Sequence, residues 1–188
     1  MVGSIPGARS KQVGRATVRG VQIRPGTVED AALLWKAEVE TARTAGRLVS
    51  RPHELLLEAF QMKLRELGPR GCYVVAVEEE GISGHAFLEP MSLEALQHVY
   101  RLTIVVHPGR TGRGVGTALL THLQGWAASL AGLRKVELLV RDSNPGAIRL
   151  YQRLGFVEEG RFRDRIRLPD GTFVDDIAMA WFPPGRSD

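Results

Sequence analysis

The sequence has 188 residues, 44% of them apolar and 24% charged, and this length and balance are ordinary for one globular domain with a sizeable core. No apolar run approaches the ~20 residues that cross a bilayer, no apolar signal core begins the chain, and the lone Cys72 excludes an internal disulfide, so a cytoplasmic protein without a membrane partner is expected. The net charge of +4 is spread along the chain without the interleaved aromatics of an RNA-binding surface, so a nucleic-acid partner is not expected.

The N-terminal residues 1–19 are basic and have hardly any apolar pattern. They are predicted to form a flexible basic tail, and the folded domain is predicted to span residues 20–183. A short strand is predicted at residues 21–24, because Pro25 ends it. Thr27 is then placed to cap a helix, with Asp30 as its partner in a capping box.

Apolar periodicity and turn residues predict the rest of the secondary structure. The elements that follow are a helix at residues 51–67, strands at 72–77, 82–88 and 99–106, a helix from 115 that a glycine at 132 ends, a strand at 135–140, a helix at 144–154, and strands at 156–168 and 172–181. The last two strands are joined by a tight turn at Asp170 and Gly171. This order favours an α/β fold with a mixed sheet covered by helices.

A glycine-rich turn lies between the strand that ends near Val106 and the helix that starts at Val115. The first turn of a helix leaves backbone N–H groups unpaired and carries the positive end of the helix dipole. Glycines let an anion approach those groups, and Arg110 and Arg113 add positive charge. The pattern predicts either a phosphate or pyrophosphate site or a tight connection that binds nothing. It lacks both the Walker lysine and the Rossmann glycine spacing.

Two motifs in this part of the chain carry a resemblance to a known family. Residues 111–116, Thr-Gly-Arg-Gly-Val-Gly, resemble the acyl-CoA-binding signature of the GNAT superfamily of N-acetyltransferases, although Thr111 stands where that family has Gln or Arg. Residues 144–156 match the family pattern Asn-x-x-Ala-x-x-x-Tyr-x-x-x-Gly-Phe. The last hairpin resembles that of the phosphinothricin, polyamine and ribosomal-protein branches. Two motifs in the family's order are more specific than either alone.

The resemblance implies a GNAT fold, with a mixed, mostly antiparallel sheet of seven strands and about four helices packed on both faces. It also implies acetyl-CoA as the co-substrate, lying where two central strands splay apart. The residues that the resemblance assigns to cofactor binding, mainly through their backbone amides, are Ile104, Val105, Val106, Gly112, Arg113, Gly114, Val115, Gly116, Thr117 and Asn144. No metal is expected, because the five histidines show no ligand spacing.

Acetyl transfer to an amine requires a proton donor for the departing thiolate and a group that takes the amine's proton. Tyr151 is predicted to be the donor, because a phenol is protonated at neutral pH. The general base stays open among Glu89, His98, Glu137 and an ordered water. The predicted function is acetyl transfer to a primary amine by direct attack in a ternary complex. The alternative is a non-catalytic CoA-binding regulatory module.

The resemblance leaves the acceptor amine open. It is expected to be a small-molecule amine or a protein N-terminal amine, and a homodimer is expected. By resemblance, the first two helices and their connection form part of the wall that contacts the acceptor, and Glu38, Glu40 and Arg47 are candidate contacts, although all three also fit solvated helix faces. Asp175 and Asp176 are acidic residues suited to a polyamine, but neighbouring strand residues point to opposite faces, so at most one of them lines a pocket.

Overall fold

The computed structural model describes residues 14–18, 20–68 and 70–185 of the chain. The strands in this part of the chain are β1 (Ala16–Val18), β2 (Val21–Pro25), β3 (Cys72–Glu78), β4 (Gly81–Pro90), β5 (Val99–Val106), β6 (Lys135–Arg141), β7 (Val157–Arg167) and β8 (Phe173–Trp181). The α-helices are α1 (Ala31–Ala42), α2 (Leu57–Leu67), α3 (Val115–Ala128) and α4 (Pro145–Arg153). None of these helices is long and apolar enough to cross a membrane.

The described strands form one sheet in the order β1-β2-β3-β4-β5-β6-β8-β7. All neighbours are antiparallel except β5 and β6, which are parallel. The predicted mixed, mostly antiparallel α/β sheet is therefore confirmed, with eight strands instead of seven. The additional strand is β1, which pairs with β2 and corrects the tail predicted for residues 16–18. The rest of that predicted tail, residues 1–13 and 19, lies outside the described residues.

Helices cover both faces of the sheet, as predicted. Successive residues of a strand point to opposite faces, and β3 shows the division: Val74 belongs to the core around α3, whereas Tyr73 and Val75 belong to the core of α1 and α2. All three side chains are buried. Burial of β3 on both faces explains its nearly continuous apolar sequence.

The two N-terminal helices differ from their prediction in one respect. The Thr27 cap is present, since the backbone N–H of Thr27 donates to Asp30 at 2.9 Å. The helix predicted at residues 51–67 is instead a 3₁₀ turn, Pro52–Glu54, followed by α2. It is broken because Leu55 and Leu56 are extended, and the Leu55 carbonyl accepts a hydrogen bond of 2.9 Å from the indole N–H of Trp35.

Candidate functional site

The centre of the sheet contains a gap between the two parallel strands. β5 pairs with β6 only from Val99 opposite Lys135 to Arg101 opposite Glu137. Both strands continue beyond this point, and β5 stays paired with β4 on its other side as far as Val106. The strands therefore separate while each remains in the sheet, and a cavity of about 570 Å³ opens where they part.

The gap exposes main-chain groups of β5. The backbone N–H of His107 donates to the Ser83 carbonyl of the strand pair β4–β5 at 3.0 Å. Bonding alternates along an antiparallel ladder, so the backbone of Val105 also faces β4, whereas that of Ile104 and Val106 faces the gap. All three predicted residues line the cavity. Only two of them, by this alternation, offer main-chain groups to a bound molecule.

The glycine-rich turn forms one end of the cavity. Gly114 is the residue before α3, at φ 87°, and as a glycine it has no side chain that could cap the helix. Among the described residues, the first-turn N–H groups of α3 therefore lack the N-cap side chain that most helices have. The predicted residues of the turn that line the cavity are Gly112, Gly114, Val115, Gly116 and Thr117.

Of the two arginines in the turn, one lines the cavity as the sequence suggests and the other does not. Arg113 is 53% exposed, lies 4.0 Å from Glu80, and is not among the residues that line the cavity. Arg110 does line it, and its guanidinium pairs with Glu80. Arg153 of α4, which the sequence analysis did not single out, also lines the cavity and lies 3.5 Å from the Thr117 hydroxyl. Positive charge at this end therefore comes from Arg110 and Arg153.

Helix α4 brings Asn144 and Tyr151 to the same cavity. The Asn144 side chain caps the helix, accepting from the backbone N–H of Ala147 at 3.3 Å. Tyr151 is 7% exposed and its ring lies 5.7 Å from that of Phe156. Burial raises the pKa of Tyr151 to about 12, against the opposing charge of Arg141. The phenol is therefore a neutral hydrogen-bond donor over the physiological range.

The side chains considered as the general base lie elsewhere. Glu89 is ion-paired with Lys63 at the end of β4. His98 is exposed, and Glu137 lies 3.5 Å from Lys135. None of these three candidates lines the cavity.

Helix α1 and the segment after it also contribute to the cavity. Thr41 of α1 and Arg47 and Leu48 of that segment line it, together with Arg141 from the end of β6. The Nε of Arg141 is buried and has no hydrogen-bond partner among the described residues. This orphaned donor points to a ligand that completes it.

The acidic pair of β8 is engaged outside this cavity. Asp175 accepts from the backbone N–H of Asp164 at 2.9 Å and from Arg161 at 3.1 Å. Asp176 is 2% exposed and lies 3.5 Å from the guanidinium Nε of Arg165. Neither aspartate lines the cavity, so neither provides the acidic pocket that the sequence left open for a polyamine.

Comparison with known proteins agrees with this geometry. The model of the acetyltransferase (GNAT) family matches residues 34–156, from α1 to the start of the last hairpin. The chain belongs to this family, and the family predicted from the two motifs is confirmed. Acetyl-CoA is the co-substrate of the family.

Two curated relatives show how far the similarity extends. The spermidine N(1)-acetyltransferase of Vibrio cholerae is 27% identical over 103 residues, 55% of this chain and 58% of that protein. The mycothiol acetyltransferase of Thermobispora bispora is 28% identical over 179 residues, 92% of this chain and 54% of that protein. The chain thus spans little more than half the length of these relatives.

A solved structure shows the same fold. The phosphinothricin acetyltransferase of Sinorhizobium meliloti, in complex with AcCoA, superposes with a TM-score of 0.81 at 20% identity. The match covers 89% of this chain and 91% of that one. The fold of this chain is therefore that of the family over nearly its whole described length.

Proposed function

We propose that the protein transfers the acetyl group of acetyl-CoA to a primary amine by direct attack in a ternary complex. The observation that carries the proposal is the open gap between β5 and β6, which ends at the uncapped first turn of α3. A strand edge and a helix N-terminus at one cavity suit an elongated molecule with amides along it and phosphates at one end.

The residues of the cavity divide into those that hold the cofactor and those that serve the reaction. The amides from Gly112 to Thr117 face the pyrophosphate, and Arg153 adds positive charge there. The main chain of Ile104 and Val106 pairs with the pantetheine arm, as a neighbouring strand would. Asn144 contributes its amide at the start of α4.

The reaction needs no covalent enzyme intermediate. The amine nitrogen forms a bond with the thioester carbon, a tetrahedral oxyanion forms beside the exposed β5 amides, and the carbon–sulfur bond breaks. Tyr151 gives its hydroxyl proton to the departing sulfur and regains one from the amine nitrogen. The second proton of the ammonium leaves to solvent, which balances the reaction.

The charges of the cavity favour a particular kind of amine. The charged residues among the described residues that line the cavity are all arginines, and two of them, Arg47 and Arg141, lie outside the glycine-rich turn and α4. A polycation would meet like charge there, whereas a carboxylate matches the guanidinium fork. We therefore infer that the acceptor carries an anionic group near its amine, as an amino acid does.

Titration calorimetry with acetyl-CoA and a thiol-release assay test the proposal. The assay compares a panel of amino acids, polyamines and peptides as acceptors. Turnover with acetyl-CoA supports the enzyme, and a higher kcat/KM for amino acids than for spermidine supports the acceptor class. Tight binding with no turnover on any acceptor would favour the non-catalytic module. The expected homodimer stays a prediction, which sedimentation of the purified chain measures.

A further inference from the structure

A chain of three hydrogen bonds runs through the interior beside the cavity. The carboxylate of Glu38 lies 2.8 Å from His85 Nε2, His85 Nδ1 lies 3.0 Å from His107 Nε2, and His107 Nδ1 lies 3.1 Å from the carbonyl oxygen of Ile82. His85 is fully buried and His107 is 7% exposed. The three side chains come from α1, β4 and the end of β5, so three elements converge to build the chain.

The Ile82 carbonyl fixes the protons along this chain. A carbonyl oxygen only accepts, so His107 Nδ1 carries a proton. Burial, with the neighbouring His85 as the next contribution, lowers the pKa of His107 to about 4, so its ring is neutral and Nε2 is an acceptor. His85 Nδ1 therefore donates to it. With one proton on each ring, two protons serve three contacts, so the contact between His85 Nε2 and Glu38 becomes a full hydrogen bond only when this pair takes up a third proton.

Glu38 is the member of this hydrogen-bond chain that lies nearest to the residues of the cavity. The Glu38 side chain is 13% exposed, whereas that of His85 is 0% exposed. Glu38 precedes Thr41 by three positions on α1, so the two lie on one helix face, and Thr41 lines the cavity. On the sheet, His85 stands directly opposite Val105, which also lines the cavity. Glu38 is not itself among the residues that line the cavity, so it reaches an acceptor there through an ordered water.

The groups around this hydrogen-bond chain allow it to accept one proton and no more. The Tyr73 ring stacks on His85 at 5.9 Å, and burial, followed by the negative charges of Glu38 and Asp30, raises the pKa of Tyr73. Tyr73 is thus neutral and cannot compete for the proton. The positive charge of Arg110 also lowers the pKa of His107, which disfavours a second proton at that residue.

We propose that Glu38 is the general base of the acetyl transfer, with His85 and His107 as positioning residues that hold its proton. This inference rests on the proposed function. The ammonium of the acceptor gives one proton, through the ordered water, to the Glu38 carboxylate, and this proton completes the hydrogen bond to His85. The freed lone pair of the amine attacks the thioester carbon. Release of that proton to solvent, after the amide has formed, restores the starting state.

The first test compares Glu38→Gln with the wild type over a pH series, using acetyl-CoA and the best acceptor of the amine panel. Gln keeps the shape and a hydrogen bond to His85 but takes no proton, so kcat/KM is expected to fall ~100-fold near neutral pH. The loss should shrink toward the pKa of the acceptor amine, where free amine no longer needs a base. Glu66→Gln, at an exposed position of α2, is the matched control.

The outcomes separate the two proposals. A wild type without turnover on any amine would remove the proposed function and this inference together. If the wild type is active and Glu38→Gln is unchanged, or loses the same factor at every pH, then Glu38 is not the base and the proposed function still stands. A loss concentrated at low pH, with unchanged affinity for acetyl-CoA, supports it.

A second test reads the protons directly and does not depend on activity. Long-range proton–nitrogen correlations of the protein labelled with ¹⁵N-histidine distinguish the two ring nitrogens. His107 is expected to carry its proton on Nδ1 and to leave Nε2 bare. A proton on Nε2 of His107 instead would reverse the chain and overturn the assignment of a shared proton to Glu38 and His85.

Discussion

The two edges of β5 are built differently from one strand. Toward β4, the ladder is continuous from Tyr100 to Val106. Toward β6, it stops after Arg101. The closed edge holds a buried chain of polar side chains, and the open edge offers its main chain to a cavity. A binding site can thus be made by ending a ladder early, because the unpaired amides are then already aligned.

The closed edge makes that opening tolerable. Unpaired main-chain groups destabilise a sheet unless water or a ligand satisfies them. β5 keeps its position because the β4 ladder and the bond from His107 to Ser83 hold it from the other side. The continuous ladder with β4 therefore holds β5 in place while the main-chain groups on its other edge stay free to bind a ligand.

The largest effect is expected at Gly114, the residue before α3. Gly114→Glu should reduce acetyl-CoA affinity at least ~100-fold relative to Gly114→Gln, because a carboxylate repels the phosphates where the amides attract them. Both variants share the backbone strain of a side chain at φ 87°, so their difference isolates the charge. Calorimetry measures it. Equal affinities of the two variants would show that the pyrophosphate does not bind at the first turn of α3.

The next effect concerns the proton donor on the open edge. Tyr151→Phe should lower kcat ~100-fold with little change in acetyl-CoA affinity, because only proton delivery to sulfur is lost. Tyr100→Phe, which removes a hydroxyl outside the cavity, is the matched control. Because the pKa of Tyr151 is raised to about 12, the phenol stays protonated below that pH, and its ionisation should not lower the wild-type kcat there. An unchanged kcat in a reaction limited by chemistry would reject the role.

A smaller effect is expected in the pH dependence of the protein's stability, through His107 beside the closed edge. The pKa of His107 is lowered to about 4 by burial and by His85, so the unfolded chain binds this proton more readily than the native one. The free energy of unfolding should therefore fall as the pH drops from about 6.5 to about 4, by on the order of 3 kcal/mol. Urea titrations over this range should show the slope reduced in His107→Gln and retained in His53→Gln, an exposed position.

The smallest effect separates the two halves of α3. An added Cβ at Gly116 would lie 2.9 Å from Leu150 Cδ2, beside the open edge, whereas one at Gly125 meets nothing within 4 Å. Gly125→Ala should stabilise the protein by about 0.5–1 kcal/mol through helix propensity. Gly116→Ala should lose that gain to crowding. Chemical unfolding measures both, and equal stabilisation would show that Leu150 gives way freely.

The sequence predicted the open edge better than the closed one, for a physical reason. The strand, the turn and the start of α3 are adjacent in the chain, and glycine and proline mark their limits locally. The Asn144 and Tyr151 positions likewise follow from one helix. In contrast, Glu38, His85 and His107 are distant in sequence and meet only because α1 packs over β4. Glu38 also fits a solvated helix face, which the structure replaces with a bond to buried His85.

Two other differences have the same origin. The sequence indicates positive charge beside the glycine-rich turn. In the structure Arg113 does not line the cavity, whereas Arg153 lies beside Thr117. Side-chain direction depends on the neighbours that a fold supplies. The strand β1 was missed because three residues give too short a pattern to predict a strand.

The interrupted ladder has a consequence for how long the folded chain persists. A ligand that fills the gap between β5 and β6 binds the native state and not the unfolded one, so it adds RT ln(1 + [L]/Kd) to stability. At a concentration of about 100 times Kd, that amounts to ~2.7 kcal/mol. Resistance to proteolysis is therefore expected to rise with the concentration of that ligand.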